Sequence, residues 1–502
     1  MRAVNVWVDF SQVRALPQGL VDTRQDWRTV PTDPNRLRDN APLLDAWLRF
    51  QEQAPTPFTI PGHKQRHDLV GDVVGGDVPL YAGLDTMKLT TGVLSQAEEK
   101  AARLWGADYC RFSTGGATHA NQAVALAVAA DGDKVVVSRT LHRSLFLGLV
   151  LAGLMPVWVH PDVDPTSGLP SGVAPEAVDR ALTAHPDAKA VFVGEPSYVG
   201  TVGDVAGLAH AAHAHAVPLV VDAAWAAHFG FHPDLPRHAL QLGADVMITS
   251  AHKTLPAWSQ AALVLARTDR VDVARLEAGV EATATTSPAG AILASTDASR
   301  ALLERDGHAL LAPVIAATAA ARHALRTVEG LHVLDGPTVD PLKLTLVLGG
   351  TGADGNRVEQ DLLAAGLPVE SADRDVVIAV VSLADTDVTV QRLATLLAQS
   401  IERHRGAPRA IAGSACYGVV PVTVATPRAA FFAATETVPL AEAVGLVCAE
   451  LVAPYPPGIP VLAPGELVTA RALAALRHAR SIGVRIAYAA DPSLRTLRVA
   501  AR

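Results

Sequence analysis

Apolar positions along this chain alternate between two periods, and the alternation is clearest between about residues 94 and 266. "SQAEEKAARLWGA" carries helical spacing, and "YCRFSTGG" reads as a short strand running into a glycine-rich turn. "THANQAVALAVAA" is again helical and "KVVVSRT" is again a strand. "AVFVGEPS", "VPLVVDAAW" and "DVMITSAHK" are apolar runs of strand length, each ending in small or polar residues, and alanine-rich helices such as "DVAGLAHAAHAHA" separate several of them. Strands that alternate with helices predict an α/β protein with a mainly parallel sheet covered on both faces. In such sheets ligands bind at the carboxyl ends of the strands. "ALLERDGHALLAPVIAATAAARHALRTVEG" predicts a long helix, after which "LHVLDG", "LKLTLVLGG" and "VVIAVVSLA" predict shorter strands of a smaller α/β unit. Near 405 a last segment begins, and its "PYPPGIPVLAPGE" is too rich in proline and glycine for a helix or central strand. The expected division is an N-terminal arm over 1–60, irregular through its first 40 residues, a large domain over 61–330, and a smaller C-terminal domain or domains over 331–502.

Composition narrows the class. The 502 residues are 49% hydrophobic and 18% charged, enough to bury a large core in more than one domain. A net charge of −8 with no basic cluster argues against nucleic acid, and no apolar stretch has the length of a membrane span. No signal-peptide pattern opens the chain. Cys110, Cys416 and Cys448 are far apart, which suggests neither a disulfide framework nor a metal site. A cytoplasmic setting is expected.

Four features at the strand ends carry chemistry. "STGGATHANQ" (113–122) joins a strand to a helix, where backbone N–H groups and the helix dipole favour an anion; a plain turn is the competing account. His142 follows a strand end in "SRTLHRSLF", where it either meets a ligand or caps a helix. Asp222 ends a strongly apolar strand, and an ionised carboxylate there needs a cation or good donors, unless it caps a helix. Lys253 stands thirty-one residues later, where an apolar run breaks into "HKTLPAW". Burial strips a lysine of its proton, and an uncharged amine attacks carbonyls; a salt-bridged lysine is the alternative. Taken together they suit pyridoxal 5′-phosphate, with phosphate against Gly116, Ala117, Thr118, Ser250 and His252. The ring would lie under His142, its cationic nitrogen on Asp222 in a contact worth about 1.5–3 kcal/mol, and the aldehyde would bond to Lys253. The protonated ring is an electron sink for a substrate carbanion.

Over nearly all of 40–470 the chain resembles the fold-type-I, pyridoxal-phosphate-dependent ornithine/lysine/arginine decarboxylases. "FTIPGHKQ", "GGATHANQA", "SRTLHRSL", "TSAHKTLPAWSQ", "TTSPAGAILASTDASRA", "PRAAFFAATETVPL" and "PYPPGIPVLAPGE" stand in the family's order. The resemblance implies a large domain with a mainly parallel seven-stranded sheet and a smaller C-terminal α/β domain. It implies Lys253 as the Schiff-base lysine, Asp222 as partner of the ring nitrogen, His142 stacked on the ring, and Ala117, Thr118, Ser250 and His252 at the phosphate. It implies Thr286 and Ser287 at the cofactor of a neighbouring subunit, hence a homodimer or higher homo-oligomer with shared sites. A basic substrate needs a distal carboxylate, for which Glu436 is the candidate, set against a helix-start glutamate. His63 and Lys64 either touch the substrate carboxylate or shape a turn. Two departures stand out: "DAAWAAHF" has Ala223 and Trp225 where short members carry a carboxylate and an imidazole, and Gly115 stands where asparagine is common.

The resemblance selects decarboxylation of arginine, lysine or ornithine to an amine and carbon dioxide. Two alternatives remain: another reaction on the same fold, by an aminotransferase or amino-acid lyase, and a non-catalytic regulatory homologue.

Overall fold

The computed structural model describes residues 33–53, 57–80, 83–85, 92–411, 414–455 and 458–501. The expected arm therefore lies in large part outside the described residues. The alternating stretch folds into a seven-stranded sheet made of β1 (Tyr109–Ser113), β2 (Lys134–Ser138), β3 (Met155–Val159), β4 (Val191–Gly194), β5 (Leu219–Asp222), β6 (Val246–Thr249) and β7 (Ala262–Ala266). Their spatial order is β1-β7-β6-β5-β4-β2-β3. β7 runs antiparallel to both its neighbours and the other pairings are parallel. This is the expected mainly parallel sheet.

The unbroken apolar character of the central strands follows from their two covered faces. In β7, Leu263 and Leu265 join one core while Val264 and Ala266 join the other; in β5, Leu219 and Val221 part from Val220 in the same way. Side chains with a period of two thus feed two layers of helices, and each position must be apolar. All four β5 residues, Asp222 included, are buried.

Helix Pro42–Gln53 lies inside the span expected as an arm. Leu43 is wholly buried in the main core and its N–H donates to Asp297 of the long helix at 2.9 Å. This amphipathic segment therefore packs onto the large unit. The long helix, Gly290–Leu325, starts ahead of the stretch expected from Ala301 onward and tolerates Pro313 within it.

Past it, β8 (His332–Val333), β9 (Lys343–Val347), β10 (Ser371–Ala372) and β11 (Val376–Val380) form an antiparallel sheet in the order β10-β11-β9-β8. A further unit pairs β12 (Thr435–Pro439) with β15 (Thr496–Ala500) and β13 (Ala453–Tyr455) with β14 (Arg485–Ala487) around helix Ala470–Ser481. Its core, with Val452, Leu473, Leu476 and Val499, is separate from the others. Among the described residues the C-terminal third thus holds one four-stranded and two two-stranded sheets, in two units.

A buried ion pair ties that last unit to the end of β2. Arg139 and Glu466 meet in two contacts of 2.5 and 2.9 Å, with the side chains 3% and 1% exposed. Arg139 Nε also donates to the Pro460 carbonyl, and its guanidinium stacks on Trp158. No helix among the described residues is long and apolar enough to cross a membrane.

Candidate active site

The carboxyl ends of β1, β2, β4, β5 and β6 open on a cleft of about 790 Å³. Gly116, Ala117, Thr118, His142, Asp222, Ser250, His252 and Lys253 all line it. Glu370, immediately before β10, and Tyr455, Gly458 and Tyr488 of the last unit close it from the other side.

Asp222 is 8% exposed, and its carboxylate accepts from Asn121 Nδ2 at 2.8 Å and from the Ala224 N–H at 3.2 Å. Both donors are neutral, so the buried negative charge remains available to a cation in the cleft. Asn121, on helix Gly116–Val128, is fully buried and spends its second amide hydrogen on Ser144 Oγ at 3.0 Å. The Ser144 hydroxyl lies 2.7 Å from His142 Nδ1, which also accepts the Ser144 N–H. With Nδ1 accepting, the neutral imidazole carries its proton on Nε2. His142 caps helix Arg143–Ala152 and lines the cleft. Its deep setting holds it below the ordinary imidazole range; Asp222 opposes that shift, and Lys253 and Arg143 reinforce it.

Lys253 sits on the helical turn Ala251–Thr254, between β6 and the returning β7. Burial lowers its amine below the ordinary lysine range, and Asp222 and Glu370 pull the other way. Its Nζ lies 4.1 Å from the centre of the Trp225 ring. Beside it, Ser250 Oγ is buried with no hydrogen-bond partner among the described residues. His252 Nδ1 lies 2.9 Å from the Ala261 carbonyl; donating there turns Nε2 outward. The turn opposite begins helix Gly116–Val128, whose first N–H groups have no intrahelical acceptor. Gly115 has a steric reason: a Cβ there would come within 2.7 Å of the His119 Cβ. His119 cannot give way easily, being buried and held by Ser113 Oγ and the Val280 carbonyl.

Five sequence candidates do not line this chain's own cleft. Thr286 and Ser287 are exposed on the loop before the long helix, and Glu436 is exposed on β12. His63 faces Asp77 at 3.2 Å in a local turn, and Lys64 Nζ donates to the Thr59 carbonyl.

Residues 41–340 match the family model of the Orn/Lys/Arg decarboxylase major domain, and 412–484 match its C-terminal domain. The chain belongs to the Orn/Lys/Arg decarboxylase family. It is 32% identical to an arginine decarboxylase of Halalkalibacterium halodurans over 92% of this chain and 98% of that one. To an arginine decarboxylase of Bacillus subtilis it is 30% identical, over 91% and 97%. Among solved structures, the Francisella novicida lysine decarboxylase superposes with a TM-score of 0.78 at 20% identity, covering 92% of this chain and 81% of that one. Lysine decarboxylase A from Pseudomonas aeruginosa gives 0.78 at 22%, covering 93% and 81%. These two share the fold.

As a family member the chain is a pyridoxal-phosphate-dependent amino-acid decarboxylase acting on basic amino acids. Its own residues fit that cofactor. The unpartnered Ser250 hydroxyl and the helix N-terminus suit a phosphate, the Asp222 carboxylate suits a ring cation, and the His142 imidazole at the cleft lining suits a stacked ring. Several site residues of this decarboxylase were missed from sequence. Asn121 and Ser144 lie in quoted motifs, but their link from Asp222 to His142 is three-dimensional. Glu370 lies in the bend before β10, and Lys343, which packs behind Trp225, opens β9; neither local stretch marks its residue out. Trp225, noted only as a departure, lines the cleft beside Lys253 and forms an edge contact with Tyr198 at 5.6 Å.

Proposed function

We propose that this chain decarboxylates arginine, with Lys253, Asp222 and His142 as its catalytic residues. The observation that carries the proposal is their convergence on one cleft that also has a carboxylate, Glu370, and an aromatic wall of Tyr198, Trp225, Tyr455 and Tyr488. A guanidinium is planar, permanently charged and stacks on aromatic faces, so such a wall with a carboxylate beside it suits arginine. The relatives named arginine decarboxylase, alike along nearly their full length, support the same substrate.

When bound, pyridoxal phosphate supplies an electrophilic aldehyde and a cationic ring that takes up the electron pair left as carbon dioxide departs. Asp222, oriented by Asn121, keeps a proton on the ring nitrogen. His142, kept neutral, covers the ring without adding a second positive charge. Ala117 and Thr118 N–H groups, Ser250 and His252 hold the phosphate, with Gly116 leaving room at the turn. Lys253 Nζ would anchor the aldehyde and is the cleft amine placed to move a proton at the α-carbon. Glu370, which accepts from the Tyr198 hydroxyl at 3.2 Å, receives the distal cation.

We propose further that two copies share their sites, with the exposed Thr286 and Ser287 reaching a neighbour's cofactor and His63 and Glu436 serving the entrance. The separate sheets support a cofactor-holding unit over 61–330 and C-terminal units over 331–502.

The test offers arginine, lysine and ornithine separately to the loaded enzyme and measures carbon dioxide and amine. Arginine should give both at the highest kcat/KM. Preference for lysine or ornithine would overturn the substrate assignment, and a keto acid without carbon dioxide would overturn the reaction.

A further inference from the structure

Behind the cleft wall, against Trp225, lies a second lysine that is buried. The chain has only seven lysines among its 42 Lys and Arg residues, so arginine supplies nearly all its fixed positive charge. Lys343, the first residue of β9, is 2% exposed, and its Nζ has no hydrogen-bond partner among the described residues. That nitrogen lies 3.3 Å from the centre of the Trp225 ring and 5.4 Å from that of Tyr198. Its stem runs against Gly200, where a Cβ would come within 2.7 Å of Lys343 Cγ. Glycine at 200 is what lets this lysine reach the ring.

The charged groups around Lys343 are engaged with other partners. Asp340 accepts the Leu342 N–H and faces His228 Nε2 at 3.1 Å. Glu370 accepts from Tyr198, and Arg322 donates to the backbone carbonyls of Asp340 and Lys343. The remaining cation is Lys253, whose Nζ touches the same Trp225 ring at 4.1 Å. Two ammonium groups on one indole in a desolvated wall repel each other, and such groups titrate as a pair.

We propose that Lys343 is a positioning residue for this reaction: it seats Trp225 in the cleft wall, and across that ring it and Lys253 hold one proton between them. The inference rests on the decarboxylase reading, because it gives the anchoring lysine a partner that sets its charge. Any proton either amine gains or loses is exchanged, in the end, with solvent. Burial, opposed by Asp340 and Glu370 and reinforced by the charge on Lys253, brings Lys343 down to about 7, so it is the amine that yields first. Arginine could not take this place, since a guanidinium does not lose its proton.

The experiment uses the cofactor-free full-length protein with lysines labelled with carbon-13 at the ε position. One signal, absent from Lys343→Met, should titrate near pH 7. In Lys253→Met its midpoint should rise by about one pH unit. A Lys343 signal titrating in the ordinary lysine range, or a midpoint unmoved by Lys253→Met, overturns the proposal. If Lys343→Met does not fold, wild type against Lys253→Met carries the same outcomes, through a neutral-midpoint signal that is present or absent, moved or unmoved. In the loaded enzyme, Lys343→Met should remove the change in kcat/KM that wild type shows near pH 7; an equal loss at every pH would mark a merely structural lysine and overturn the proposal. The titration needs neither substrate nor cofactor. Its failure leaves the decarboxylase reading standing, and missing carbon dioxide release leaves the titration readable.

Discussion

Replacing Glu466 by glutamine keeps the side chain's shape and removes its charge. The Arg139 guanidinium would then lie 3% exposed against a neutral amide, having lost the charge that meets it at 2.5 and 2.9 Å. Its bond to the Pro460 carbonyl and its contact with Trp158 remain, but neither neutralises it. Removing one partner of a buried pair costs about 3–5 kcal/mol, a hundred- to several-thousand-fold change in the equilibrium the pair controls. That equilibrium is the docking of the last unit, because Glu466 belongs to it and Arg139 stands three residues before His142. Since Tyr455 and Tyr488 reach the cleft only with that unit docked, Glu466→Gln should lose activity as well as stability. Urea unfolding followed by tryptophan emission should show an early transition absent from wild type, and kcat/KM should fall in the same variant. The double variant Arg139→Met, Glu466→Leu should recover most of the stability, because it leaves no unpaired buried charge. A loss below about 1 kcal/mol in the single variant, or a double variant as unstable as the single, would refute the reasoning.

Asn121→Leu deprives Asp222 of its closer donor; a hydrogen bond to a charge is worth about 1.5–3 kcal/mol, so cofactor affinity should drop about ten- to hundred-fold in equilibrium dialysis, and unchanged affinity would exclude the orienting role. Glu370→Gln should raise KM for arginine at least about tenfold with a smaller effect on kcat, whereas a pure kcat effect would move Glu370 away from the distal cation. For Lys343, the folded value of about 7 lies below the unfolded 10.5, so between those values the unfolded chain binds more protons. Stability should therefore climb as pH rises from about 7 toward 10.5, by at most about 1.4 kcal/mol per pH unit from this group. Unfolding measured across that window should show a flatter dependence in Lys343→Met; equal slopes would mean that Lys343 is not buried and uncharged.

The sheet was legible because each central strand must be apolar at every position, and the polar residues that end those strands mark the cleft rim. Lys253, Asp222 and His142 stood out for that reason. The helix Pro42–Gln53 was not, because its apolar stripe is short and preceded by an irregular proline-containing stretch. The two-part C-terminal third was obscured because β8, β10, β13 and β14 have only two or three residues, too short for periodicity. Asn121, Glu370 and Lys343 share a different difficulty. Each looks ordinary in its own helix or strand, and only tertiary contact brings an amide to Asp222 or an amine to Trp225. Arg139 and Glu466 lie in two quoted motifs 327 residues apart, and neither motif announces its partner.

The account rests on which amine holds the cofactor, and two stand on one ring. Purified protein would be incubated with pyridoxal phosphate, reduced with borohydride, digested, and its peptides weighed by mass spectrometry. A pyridoxyl phosphate adduct on the peptide carrying Lys253, lost in Lys253→Ala, is the predicted result. An adduct on Lys343 instead, or no adduct on any lysine, would contradict it.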